Sequence, residues 1–122
     1  MNTFGFEKLV VWQDARQLCL LIYQVTKEFP KDEIFGITSQ IRRAGISITC
    51  NIAEGTSRWS GKEKIRFIEI AYGSLMEVLN CAILASDLAF LTEDNYNQIR
   101  EKIDHISYKL TNLKKSFETK PI

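Results

Sequence analysis

Residues 47–67 read SITCNIAEGTSRWSGKEKIRF, and the fold turns on how this stretch is divided. Up to Arg58 its apolar residues fall on a helical period: Ile48 and Ile52 continue the series Ile37, Ile41 and Ala44, spaced by three and four. From Ser60 the logic restarts. Ser60 and Glu63 have the S-x-x-E spacing of a capping box, in which each side chain takes up a backbone amide that the first turn of a helix leaves unpaired. One helix therefore stops near Arg58 and another begins at Gly61, with only a short corner between them.

Working outward, the same period recurs on both sides. Toward the amino terminus, Val11, Ala15, Leu18, Ile22, Val25 and Phe29 make one apolar face, which predicts a helix over 7–28. The stretch FPKDEIFG (29–36) breaks it, because Pro30 fixes its own dihedral and biases Phe29 away from the α region. The other proline, Pro121, stands in the tail. Helix two is expected over 37–58. Helix three is expected over 61–91, with Ile68, Ala71, Leu75, Val78, Ala82, Ala85 and Ala89 as its stripe. Thr92 caps a fourth helix over 93–118, where Glu93 and Asp94 complement the amino-terminal dipole and Tyr96, Ile99, Ile103, Ile106, Leu110, Leu113 and Phe117 repeat at three and four. Long amphipathic helices joined by short connections imply antiparallel neighbours, so the expected fold is all-α, an up-down-up-down four-helix bundle occupying 1–122 as one domain.

Composition agrees with a single core: 122 residues, 45% hydrophobic, with a formal net charge of +1. That balance excludes a uniformly basic coat for nucleic acid, although a local patch fits within it. Three cysteines, Cys19, Cys50 and Cys81, lie far apart with no CxxC pair, and read as small core residues in a reducing, cytoplasmic setting. No apolar run is read as approaching the roughly 20 residues of a membrane span, and the start MNTFGFEKLV lacks the basic region and long apolar core expected of a secretory leader. Helices one and three carry more apolar residues than one core needs, including Leu20, Leu21, Ile70, Met76, Ile83 and Phe90, which predicts burial in an oligomer.

The candidate chemistry is sparse. Gln40, Arg43, Ser47, Asn51, Glu54 and Arg58 share one stripe of helix two beside its isoleucines, a polar seam expected to hydrogen-bond to helix three and set the packing register. Arg43 is expected to pair internally within it. The AEG tripeptide lacks the spacing of a phosphate loop. Glu54, Glu69, Glu77 and Glu101 do not amount to a di-iron centre, because that needs two Glu-x-x-His motifs and the chain has one histidine, His105, with Lys102 at the required position. His105 is expected to be solvated or capping, and no catalytic residue, metal or cofactor is assigned. The basic residues carry more information. Arg42, Arg58, Lys62, Lys64 and Arg66 are expected to reach solvent around the corner between helices two and three, with Trp59 among them. Guanidinium forks suit phosphate and an exposed indole can stack on an unpaired base, so they form a candidate surface for RNA or single-stranded DNA.

Several motifs together resemble a known family. They are the L-x-V-W opening (Leu9–Trp12), the F-P-x-x-E turn (Phe29–Glu33), T-S-Q-I-R-R (Thr38–Arg43), N-I-A-E-G (Asn51–Gly55) and G-S-L-x-E (Gly73–Glu77). In these the chain is similar to the four-helix-bundle proteins encoded by intervening sequences of bacterial 23S ribosomal RNA genes. Distantly, it resembles the accessory variability protein that partners the reverse transcriptase of diversity-generating retroelements. The resemblance implies a homopentameric bundle and opens RNA, single-stranded DNA and a reverse transcriptase as partner classes, and it carries over no catalytic residues. Two functions stand side by side: an oligomeric nucleic-acid accessory protein that multiplies a weak basic patch by avidity, and a structural or protein-recruiting oligomer whose arginines pair between subunits. Cys50, before the N-I-A-E-G motif, is read as a small hydrophobe.

Overall fold

A computed structural model describes residues 1–118, so Pro121 and the tail around it lie outside the described residues. Four helices make the body: α1 (Val10–Thr26), α2 (Ile37–Thr56), α3 (Gly61–Asp87) and α4 (Glu93–Phe117). There is no strand among the described residues. Each helix packs on its two neighbours around a square, α1 on α2, α2 on α3, α3 on α4 and α4 back on α1, and the diagonal pairs make no close backbone approach. That is the up-down-up-down bundle.

The apolar stripes meet at its centre. Leu18, Ile22, Ile41, Ile48, Ile52, Ile68, Leu75, Val78, Ile99, Ile103, Ile106 and Leu110 are all fully enclosed. Removing each of these large side chains from water contributes about 1.5–3 kcal/mol. Small residues fill the gaps between them: Ala15, Ala71, Ala82 and Ala85 are completely buried, which lets the helices that carry them approach closely.

Helix one closes at Thr26 rather than residue 28 and helix four at Phe117 rather than residue 118, and three further ends differ from the sequence expectation, each for a local reason. Helix one begins at Val10, because Leu9 is extended (ψ 125°) and separates α1 from a 3₁₀ turn at Gly5–Lys8. The Glu7 carboxylate accepts the Phe4 amide at 2.7 Å and the Gln13 side chain donates to the Glu7 carbonyl at 2.9 Å, which ties that turn down as a separate unit. Helix two ends at Thr56, with the Ser57 amide and hydroxyl both donating to the Glu54 carbonyl (3.1 and 2.7 Å). Helix three ends at Asp87 rather than near residue 91. Ala89, expected in the stripe, is exposed and has a left-handed φ of 63°. Around it, the Phe90 amide donates to the Ala85 carbonyl (2.9 Å) and the Ala89 amide to the Ser86 carbonyl (3.0 Å), the hydrogen-bond pair of a Schellman stop. Both N-caps form, Ser60 Oγ accepting the Glu63 amide and Thr92 Oγ1 the Asn95 amide, both at 3.1 Å, but the reciprocal half of the expected capping box does not, since the Glu63 carboxylate pairs with Arg66 instead.

The surplus apolar residues divide into two groups. Leu20, Ile70 and Ile83 are exposed, at 62%, 42% and 41%. Leu21, Met76 and Phe90 are instead half-buried against the core, Phe90 tilting on Phe29 with ring centres 5.9 Å apart, so the bundle itself uses these three. One sequence reading is also corrected. Helix α3 is long and apolar enough by length and composition to cross a membrane. In the bundle its stripe faces α2 and α4, while Glu77 accepts from Gln40 (2.9 Å) and Glu69 pairs with Lys114 (3.1 Å).

Candidate nucleic-acid interface

At the corner Ser57–Ser60 the chain leaves α2 and enters α3, and its side chains have no core to face. Trp59 is wholly exposed. On the first turns of α3, Lys62, Lys64 and Arg66 follow, and Arg58 precedes them within the corner. Sequence reasoning missed what joins them. The carboxy-terminal end of α4 packs here: a Cβ on Gly61 would lie 2.7 Å from the Phe117 carbonyl, and Lys64 Nζ sits 5.2 Å from the centre of the Phe117 ring while donating to the Thr56 carbonyl at 3.2 Å. Lys114 and Lys115, in the last turn of α4, thereby come to the same end of the bundle. The 3₁₀ turn packs on α2 and adds Lys8. The sequence signal for this was present, since antiparallel order alone puts the start of α1, the end of α2, the start of α3 and the end of α4 together.

The cations of the corner are held in different ways. Arg58 stands 3.9 Å from Glu54 and its guanidinium lies 4.5 Å from the Phe67 ring centre; Arg66 stands 3.6 Å from Glu63 and 5.6 Å from the same ring. These carboxylates are close to half exposed or more, so water screens both pairs and each contributes little. Lys62 makes no ion pair or hydrogen bond among the described residues. The arginines are thus oriented by an aromatic ring and still open to a phosphate on their outer side.

Charge is unevenly distributed between the two ends. The basic end gathers Lys8, Arg58, Lys62, Lys64, Arg66, Lys114 and Lys115 against Glu7, Glu54, Glu63, Glu69 and Glu118. The opposite end, where α1 closes and α4 opens, holds Glu28, Asp32, Glu33, Asp87, Glu93 and Asp94 against Lys27, Lys31, Arg42 and Arg43. A chain with almost no net charge is therefore electrically polarised along its length.

Not every residue expected at the corner is there. Arg42 lies sixteen residues before Arg58, and the stretch of α2 from Arg42 to its last residue, Thr56, alone spans about 21 Å at 1.5 Å per residue. Its Nε donates to Thr26 Oγ1 at 2.8 Å and its guanidinium covers the Tyr23 ring at 4.7 Å, so it tethers α2 to α1 instead of joining the basic end. The polar seam is also rearranged. Gln40 bonds to Glu77 and Ser47 Oγ meets Ser74 Oγ at 2.7 Å, so these two do reach α3. Asn51 turns back on its own helix, donating to the Ser47 carbonyl (2.8 Å) and hydroxyl (3.1 Å). Glu54 and Arg43 are exposed; Glu54 meets only Arg58, and Arg43 faces solvent instead of pairing with Asn51 or Glu54. Arg43 lines an open groove with Gln40, Ser47 and Glu77 of α3 but makes no hydrogen bond or ion pair there among the described residues.

The remaining candidates do not converge. Glu54, Glu69, Glu77 and Glu101 are all on the surface, and no group of three metal-ligating side chains forms among the described residues. His105 is exposed and lines a shallow polar groove of about 250 Å³ with Asp14, Gln98, Glu101 and Lys102. Burial pushes the Cys81 thiol above its ordinary 9.0, with the Glu77 charge adding to it; burial does the same to Cys19, helped by Cys50. Cys50 itself is exposed, which corrects its reading as a core residue.

Comparison with known proteins agrees with the fold. A solved structure from Bacteroides thetaiotaomicron VPI-5482, described as a protein with unknown function from the S23 ribosomal protein family, is similar with a TM-score of 0.80 and 24% identity, over 87% of this chain and 99% of that one. At that identity the likeness speaks for the fold. No curated protein matches the chain. Residues 7–112 match the family model described as 23S rRNA-intervening sequence protein.

Proposed function

Because the chain belongs to the 23S rRNA-intervening sequence protein family, we propose that it is a non-enzymatic, self-associating bundle protein that binds RNA or single-stranded DNA through the basic end of the bundle. The observation that carries this reading is the meeting of four chain segments at one end, which Arg58, Lys62, Lys64, Arg66, Lys114 and Lys115 share with a fully exposed Trp59. The lysines supply charge that follows a phosphate backbone without reading its sequence, and the indole supplies a face on which an unpaired base stacks. Sequence preference is accordingly weak. Self-association is supported by Leu20, Ile70 and Ile83, which the single bundle leaves open to water; five copies is the number the family resemblance implies. A ring or stack of copies repeats the basic end and raises avidity without any new contact. A second reading, a protein-recruiting scaffold with no nucleic acid, is favoured by the pairing of Arg58 with Glu54 and of Arg66 with Glu63.

Fluorescence anisotropy of labelled RNA and single-stranded DNA across a salt series separates the two. Binding should fall with salt at a log–log slope of about −0.7 per neutralised phosphate, and Lys62→Glu with Lys64→Glu should weaken binding to every sequence. No binding at low salt by a folded protein would leave the scaffold reading, and binding indifferent to the charge reversals would remove the basic end as its seat.

A further inference from the structure

Between α3 and α4, next to the basic end, lies a groove of about 410 Å³. Its floor is apolar, made by the buried side chains of Ile68 and Leu110, and the Tyr72 ring walls it. Tyr72 Oη shares a 3.1 Å hydrogen bond with Ser107 Oγ, which ties the ring to α4 and holds it in place. Gly73 gives the groove its width, since a Cβ there would meet nothing within 4 Å. At the mouth Glu69 Oε2 and Lys114 Nζ stand 3.1 Å apart; both side chains are largely open to water, so the pair is screened and little is lost in opening it. An apolar floor, an aromatic wall and two placed charges are the make-up of a small-ligand site. The site is also continuous with the basic end. Lys62, Arg66, Glu69 and Gly73 are spaced by four, three and four, so they share one face of α3 that runs from the corner down to the groove.

We infer that this groove takes up one unpaired guanine of the bound strand; this deepens the nucleic-acid reading above and rests on it. Position supplies the first argument. Arg66 precedes Glu69 by three residues, about 4.5 Å along the axis at 1.5 Å per residue, so a strand with a phosphate on Arg66 has a base within reach of the mouth. Chemistry supplies the second. A carboxylate only accepts hydrogen bonds and an ammonium only donates them. The Watson–Crick edge of guanine offers N1–H and N2–H side by side to the two Glu69 oxygens, with O6 next to them for Lys114 Nζ. Adenine and cytosine offer the carboxylate one amino group, and uracil offers one imino N–H. Guanine thus replaces the direct contact of Glu69 with Lys114 by bridging the two, while its face lies along Tyr72. The lysines and Trp59 leave sequence unread; the groove adds one readable base per chain.

Fluorescence anisotropy of the full chain tests this with short labelled oligouridines that carry guanine, hypoxanthine, adenine, cytosine or uracil at one central position. The guanine strand should bind about tenfold more tightly than the all-uracil strand, the discrimination a bidentate contact gives, and hypoxanthine, which lacks the N2 amino group, should fall between them. The ratio should hold across a salt series, because the strands carry equal numbers of phosphates. Glu69→Gln removes a negative charge, so affinity for the all-uracil strand should stay or rise while the guanine advantage disappears. Gly73→Leu fills the groove from an exposed position and should abolish the advantage without weakening the all-uracil strand. Far-ultraviolet circular dichroism confirms that both variants are folded. If wild type binds the strands equally whatever the central base, the inference falls while the basic end stands as the phosphate site. A guanine preference that survives Glu69→Gln or Gly73→Leu also overturns it, as does a Glu69→Gln protein in which every affinity rises by the same factor, because charge alone then explains Glu69. A folded protein that binds none of the strands at low salt overturns this inference and the proposed function together.

Discussion

Two identical substitutions, Gly55→Ala and Gly73→Ala, should move stability in opposite directions. Both glycines are inside helices, where alanine is intrinsically favoured by about 1 kcal/mol through reduced backbone entropy in the unfolded chain. What differs is the space outside the backbone. A Cβ on Gly73 meets nothing within 4 Å, so the propensity gain should appear almost undiminished, about 0.5–1 kcal/mol. A Cβ on Gly55 would lie 2.8 Å from the Phe67 Cβ and 3.4 Å from the Lys64 carbonyl oxygen. Neither neighbour is the free end of a side chain. The α2–α3 crossing would have to open there, and overpacking of this kind costs about 1–3 kcal/mol, more than the propensity returns. The net expectation is a loss of up to about 2 kcal/mol for Gly55→Ala and a gap of roughly 1–3 kcal/mol between the two variants. Urea titration followed by far-ultraviolet ellipticity reads both, with the midpoint moving and the slope unchanged if only native stability has changed. A Gly55→Ala protein as stable as wild type would refute the close approach of α3 at this point, and with it the packing explanation for the glycine of the N-I-A-E-G motif.

Other outcomes follow from single residues. Ala89→Gly should stabilise by about 0.5–1 kcal/mol, because the left-handed φ of 63° penalises a side chain by about 1–2 kcal/mol, partly offset by the freer unfolded chain; a lower thermal midpoint would contradict that stop. Glu54→Ala should stay within about 0.5 kcal/mol of wild type in chemical denaturation, since its side chain is 58% exposed and touches only Arg58; a loss of 1 kcal/mol or more would show that Glu54 does reach a buried partner. Towards a thiol reagent at neutral pH, Cys50 should react first and Cys19 and Cys81 slowly. Because burial raises the latter two thiols above 9.0 in the folded chain, the unfolded chain ionises first, so stability should be unaffected below about pH 9 and fall as pH rises past it. Equal labelling rates for all three, or stability that rises above that pH, would reverse the burial argument.

What the sequence determined by itself was whatever depends on neighbours a few residues away. Apolar residues three and four apart must share a face, so the stripes of Leu18 and Ile22, of Ile48 and Ile52, and of Ile103 and Leu110 are readable before any packing is known. Ser60 and Thr92 mark helix starts because their hydroxyls serve amides three residues on. The Ala89 stop had no such signal: the residue that takes the left-handed turn is not glycine, and its apolar character continues the stripe. The separation of Arg42 from Arg58 was legible through the rise of the helix, and local charge counting overlooked it. Tertiary structure alone decided which partners those faces and charges found. Phe117 reaching Gly61, Lys114 and Lys115 joining the corner, Glu54 remaining in solvent and the gathering of carboxylates at the far end all depend on segments distant in sequence being placed side by side. Helical periodicity specifies direction around an axis; it does not specify what stands across from it, and a binding surface is made of what stands across.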